Sequence, residues 1–195
     1  NWIAPGGAPG FYCIAHPTLQ LTVIPQGLHN SFGKLNLRDT VTVYLHSSTS
    51  PFARVDSARA VVDSVTFSGT FTFVDALPGS YYIAVKHRNS IETWSSYDEL
   101  FNSWNQSVYT FTFGTYSAYG GNLAYLGPFL YAIYSGDINQ DGTVDATDVS
   151  AIDNDASNFV SGYVVTDLTG DNFVDGTDFA LADNNAANFV SAIRP

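Results

Sequence analysis

The chain has one cysteine (Cys13), no methionine, and only seven Lys and Arg against eighteen Asp and Glu. A lone thiol excludes a disulfide within the chain and leaves a small buried hydrophobe or an intermolecular bridge. The shortage of basic residues, with a net charge of −11, excludes a nucleic-acid binder that works through a basic surface. No apolar run approaches the ~20 residues that a membrane helix needs. Histidines are few (His16, His29, His46 and His87), and none stands at zinc-ligand spacing. Each is expected to be solvated or locally bonded. There is no Gly-x-Ser-x-Gly elbow, no phosphate-binding Gly-rich loop and no Cys/His pair. Glu92, Asp98 and Glu99 supply carboxylates, but nothing in the sequence holds two of them together as a glycosidase pair. No catalytic residue is assigned, and the chain is read as a non-enzyme.

What is present is a large apolar and aromatic content. In 195 residues, 45% are apolar, with 14 Phe, 12 Tyr and 3 Trp, which excludes disorder as the main state. Period-2 alternation marks short strands. Leu19, Leu21 and Val23 share a face, as do Val41, Val43 and Leu45, with His46 facing outward. The same pattern recurs in Val65–Phe67, Phe71–Phe73, Tyr81–Val85, Tyr109–Phe113 and Phe129–Tyr134. Ser68-Gly69 reads as a bulge or tight hairpin, and Leu77-Pro78-Gly79-Ser80 as a type II turn. Strands at this spacing predict an antiparallel β-sandwich over 18–135.

The text Phe71-Thr72-Phe73, Leu77-Pro78-Gly79-Ser80, Tyr81–Val85 resembles transthyretin-like, carboxypeptidase-regulatory β-sandwiches. The resemblance implies an accessory module of a secreted protein. Asn105-Gln106-Ser107 fits a glycosylation sequon at Asn105.

Charge is unevenly placed. Up to Gly136 six basic residues face seven acidic ones; from Asp137 onward eleven Asp face only Arg194. This tail, 136–195, follows the last strand without a flexible linker, so the two halves are expected to be held rigidly together. It is also internally duplicated. Asp137–Ser161 aligns with Asp167–Ser191 at an offset of 30, with about half of the positions identical, ending in Asn158-Phe159-Val160-Ser161 and Asn188-Phe189-Val190-Ser191.

Each copy opens with a loop whose oxygen-bearing residues stand at places one, three, five, nine and twelve. In the first loop these are Asp137, Asn139, Asp141, Asp145 and Asp148, with Gly142 at the turn and Thr143 offering a carbonyl. In the second they are Asp167, Thr169, Asp171, Asp175 and Asp178, with Asn172 at the turn and Phe173 offering the carbonyl. Calcium takes six to eight hard oxygens at about 2.3–2.6 Å, and a loop wrapping at this spacing points them inward; magnesium prefers to keep its waters. Two Ca2+ ions are therefore expected. Micromolar sites in millimolar calcium would stabilise the fold by about 4 kcal/mol each. Val144 and Val174 are expected to pair the loops back to back. A helix follows each loop, with apolar stripes Val149, Ile152, Ala156, Phe159 and Phe179, Ala182, Ala186, Phe189. Before each loop the text is β-like (Tyr131–Tyr134 and Tyr163–Val165).

Two loop-helix halves without entering helices resemble a dockerin. That resemblance implies a calcium-dependent, non-catalytic plug for cohesin domains, with Ala146-Thr147 and Gly176-Thr177 at the contact positions. Thr169 departs from the usual Asn or Asp.

The chain begins with Asn1 rather than Met, which fits an exported, processed product located outside the cell or on its surface. The Gly/Pro-rich opening within 1–17 is expected to be pinned by its own domain or by a neighbouring copy. Two partner readings follow. In one, Phe11-Tyr12-Cys13-Ile14 adds as a strand to the next copy and builds a head-to-tail polymer. In the other, the β-sandwich and its dockerin-like tail anchor a secreted protein to a cohesin-bearing scaffold.

Overall fold

The computed structural model describes residues 16–102 and 104–195, so the proposed strand donor Phe11–Ile14 lies outside the described residues. The architecture is mainly β with two helices near the C-terminus. β1 (Thr18–Thr22) lies between β4 (Ser68–Thr72) and β8 (Ser107–Thr110) in one sheet. The second sheet runs β3 (Arg54–Val62), β2 (Asp39–Ser47), β5 (Gly79–His87) and β6 (Thr93–Trp94), and β7 (Glu99–Phe101) also pairs with β5. β9 (Ala124–Gly127) and β10 (Leu130–Ala132) form a hairpin. The alternating faces are buried as their period dictates: Leu19, Leu21, Val41, Val43, Leu45, Phe71, Phe73, Ile83 and Val85 are fully buried in one core between the sheets.

The strands depart from the sequence pattern at several places. β1 pairs β8 in parallel, so the first sheet is mixed rather than antiparallel. Val65–Phe67 is the turn between β3 and β4, where Asp63 Oδ1 accepts from the N–H groups of Val65 and Thr66, both at 2.9 Å. β3 is a strand that the apolar alternation does not reveal, because Arg54, Asp56 and Arg59 interrupt it. Gly79 opens β5 without the positive φ that a type II turn requires.

α1 (Ala146–Ser157) and α2 (Gly176–Ala187) begin with the same capping box: Asp145 and Asp175 accept from the N–H of Thr147 and Thr177, and Asp148 and Asp178 return the bond. Ile152 and Ala182 are buried between them with Leu168 and Val174. The apolar stripes stop short of their ends. Phe159 and Phe189 are each 88% exposed, because each follows the C-cap at φ +54°, the left-handed position where a helix commonly carries Gly. Tyr163–Val165 is a turn rather than a strand.

Candidate functional site: two carboxylate loops braced by the sandwich

The loops do not pair back to back. Val144 N–H donates to Val190 O and Val174 N–H to Val160 O, both at 2.9 Å, so each loop pairs with the segment that follows the other copy's helix. Bridges Thr143↔Ser191 and Ser161↔Phe173 repeat the exchange. The two copies are interlocked, and neither buries its loop valine alone.

Within the first loop, Asp137 is 1% exposed. Its Oδ2 accepts from Gly142 N–H at 3.3 Å, while Oδ1 is buried without a partner among the described residues. Burial, then the charge of Asp148, pushes the Asp137 carboxyl up to about 6. Asp148, fully buried, accepts from the N–H groups of Ile138 (3.0 Å), Asn139 (3.2 Å) and Asp145 (3.1 Å). Burial raises its pKa and these bonds oppose the rise. Asp141 is exposed and accepts from the Thr143 hydroxyl, Thr143 N–H and Asn139 Nδ2, which hold its carboxyl below the usual range.

The second loop repeats the frame with different internal bonding. Asp178 accepts from Leu168 (2.8 Å), Thr169 (2.9 Å) and Asp175 (2.9 Å) N–H groups. Burial raises its pKa in the same way. Both oxygens of Asp167 have donors: Gly170 N–H at 2.6 Å on Oδ1 and Asn172 N–H at 3.1 Å on Oδ2, with the Thr169 hydroxyl more distant at 3.4 Å. Asp171 accepts from Phe173 N–H.

This second loop rests on the β-sandwich. Asn36 Nδ2 donates to Thr169 O (2.8 Å) and Asn89 Nδ2 to Asp167 O (3.0 Å). Gly170, at φ +71°, sits where a Cβ would lie 2.6 Å from Leu28 Cδ2 and 2.7 Å from Leu37 Cδ2. The main brace has no signal in the sequence pattern. Asp39, 4% exposed, accepts from His87 Nε2 (3.1 Å), Arg88 Nε (2.9 Å) and the Tyr163 hydroxyl (2.6 Å). Arg88 also donates to the carbonyls of Val164 and Asp167, and its guanidinium lies 4.5 Å from the Tyr163 ring centroid. Burial alone would raise the Asp39 pKa. The bonds from His87, Tyr163 and Arg88 outweigh it and hold the carboxyl well below the usual range. Of the two expectations for His87, solvated or locally bonded, the second holds: it is buried, and Ser90, bonded to its Nδ1 at 3.1 Å, is also buried. This Ser-His-Asp order joins the sandwich to the tail and is closed to solvent. The first loop has a lighter connection, Gln140 Nε2 to Ser90 O at 3.2 Å.

Among the described residues, no three His, Cys, Asp or Glu side chains stand together as a ready-made metal set. The donor chemistry is nonetheless that of a hard cation: every candidate group is an oxygen, and a cation at the first loop would give the buried Asp137 Oδ1 the partner it lacks. The fit is closer at the first loop than at the second, where both Asp167 oxygens already have donors. The other candidate residues are placed plainly. Ala146, Thr147, Gly176 and Thr177 are exposed at the starts of the helices, and Asn105 is exposed in the segment before β8. Glu92 is bonded by Trp94 Nε1 (2.7 Å), Lys86 (3.2 Å) and Arg194 (2.8 Å), away from Asp98 and Glu99 as a pair. No helix is long and apolar enough to cross a membrane.

No protein-family model matches the chain, and no curated protein matches it in sequence. Two solved structures from Acetivibrio cellulolyticus align along most of its length. One is a C-terminal interface mutant of a type II cohesin–X-dockerin complex, at 14% identity and a TM-score of 0.48, covering 88% of this chain and 99% of that chain. The other is an N-terminal interface mutant of such a complex, at 13% identity and a TM-score of 0.44, with the same coverage. At this level of likeness they carry no argument about function.

Proposed function

We propose that the chain is a non-enzymatic, extracellular binding module. In this reading the β-sandwich holds a dockerin-like pair of calcium loops, and the tail docks on a cohesin-like domain of a scaffold or surface protein. The observation that carries the reading is the duplicated loop-helix frame, with a buried Asp at the first and twelfth place of each loop and an unpartnered carboxylate oxygen in the first. Calcium supplies positive charge to a segment that carries eleven Asp against one Arg. The chain's residues do the rest: Asp148 and Asp178 fix the loop backbones to the helix starts, and the sandwich holds the second loop in place. The exposed pairs Ala146-Thr147 and Gly176-Thr177 are then presented on a rigid body.

A calcium titration of the whole chain, with melting in calcium and in chelator, tests the metal. Heat of binding and a higher melting temperature in calcium are expected; equal melting with no binding ends the reading. The partner is tested on an immobilised cohesin domain, where Thr147→Arg with Thr177→Arg should abolish calcium-dependent retention. The polymer reading rests on Phe11–Ile14, outside the described residues. Fibres formed by purified protein in calcium without added partner would favour it instead.

A further inference from the structure

A cleft of about 550 Å³ opens where α2 meets the sandwich, a volume within the ordinary range of small-ligand sites. Its lining includes five amide-bearing residues, Gln26, Asn122, Asn184, Asn185 and Asn188, together with Ser191. No Asp, Glu, Lys or Arg among the described residues lines it, in a chain of net charge −11. Three aromatic residues line it, Tyr125, Tyr134 and Phe189, of which Tyr125 and Phe189 are 65% and 88% exposed.

We propose that this cleft binds a neutral oligosaccharide. The amides are oriented before any ligand arrives. Asn185, 1% exposed, donates through Nδ2 to Gln26 Oε1 (2.8 Å) and Ser135 O (2.7 Å). Asn122 donates to Ser191 O (2.9 Å) and Asn188 to Asn184 O (2.7 Å). These bonds use both side-chain N–H groups of Asn185 and one each of Asn122 and Asn188, and leave the three side-chain oxygens as acceptors. Gln26 is the reverse: its oxygen is engaged and its NH2 remains a donor. A fixed set of mixed acceptors and donors matches hydroxyl groups, which do both. An anion meets the carbonyl oxygens and the chain's negative charge. A cation finds no carboxylate in the lining. Exposed aromatic faces supply apolar area for the C–H face of a sugar ring, with little conformational entropy to lose.

The internal duplication sharpens the assignment. Asn184, Asn188, Phe189 and Ser191 have counterparts in Asn154, Asn158, Phe159 and Ser161, yet only the second set lines this cleft. The position that differs is the buried one. Asp155 of the first copy accepts from the Thr166 hydroxyl (2.7 Å), and its counterpart Asn185 carries no charge.

Isothermal titration in calcium with cello-, xylo-, malto- and chitohexaose tests the site. At least one hexaose should bind the intact chain. Phe189→Ala and Asn188→Ala should each weaken it roughly tenfold, whereas Phe159→Ala and Asn158→Ala, the same changes in the other copy, should leave it unchanged. The proposal is overturned if no hexaose binds at millimolar concentration, if both cleft variants bind as tightly as the intact chain, or if the matched controls weaken binding equally. Calcium binding, read from the same samples, is independent of each of these outcomes.

Discussion

The two loop-helix copies share a frame and differ in what holds it. The second loop has Asn36, Arg88 and Asn89 on its carbonyls, Leu28 and Leu37 against Gly170, and donors on both oxygens of Asp167. The first has Gln140 on the sandwich and a buried, unpartnered Asp137 oxygen. Duplication thus preserved a local shape while the surroundings diverged. One copy is shaped by its neighbours, and the other keeps a buried carboxylate oxygen without a partner among the described residues.

The largest expected effect comes from the brace. Asp39→Asn removes the charge that Arg88 faces in a buried network, and should cost about 3–5 kcal/mol by thermal or denaturant unfolding. The same carboxyl sets a pH dependence. Its folded pKa is depressed, so its contribution is fully present above the unfolded value of about 4. It is lost as the pH falls below that towards the folded value. Wild type should therefore lose stability in acid more steeply than Asp39→Asn, and parallel acid curves would remove the network from the account.

Next come the glycines. Gly170→Ala meets Leu28 and Leu37 as well as a positive φ, while Gly142→Ala, at φ +97°, has Ala192 Cβ at 3.8 Å as its nearest contact. We expect about 2–4 kcal/mol for the first and about 1–2 for the second. Equal losses would mean that the sandwich does not brace the second loop.

Asparagine at the first place of each loop separates the copies in chelator. Asp167→Asn puts an NH2 against an N–H donor and should cost about 1–3 kcal/mol. Asp137→Asn removes a buried charge without a cation partner and should be neutral or stabilising in chelator, yet lower the melting temperature in calcium. The smallest effect is shared: Phe159→Gly and Phe189→Gly each relieve a left-handed backbone and should stabilise by about 1 kcal/mol. A difference between these two would show that one ring packs on something in solution.

Strand faces, and a helix after each loop, could be read directly, because period is local. Leu19, Leu21, Val41, Val43 and Leu45 went inside as their alternation required, and Asp145 and Asp175 cap the helices that follow them. β3 escaped because an edge strand with charged residues lacks the apolar period. Phe159 and Phe189 fit a helical stripe in one dimension but fall one residue past the cap, where the backbone turns them into solvent. The valines of the loops were expected to meet each other and instead pair with Val190 and Val160, the residues after the other copy's helix, a choice between equal local patterns that sequence spacing does not make.

By itself the sequence determined a β-rich first part, a duplicated acidic tail and the repeated spacing of oxygen-bearing residues in two loops, since each follows from composition, period and spacing. Only the tertiary structure decided that Asp39, His87, Arg88 and Tyr163 meet, and that the two loops differ in support. Those contacts join residues up to 124 positions apart, and no local pattern encodes which distant partner a buried charge will find.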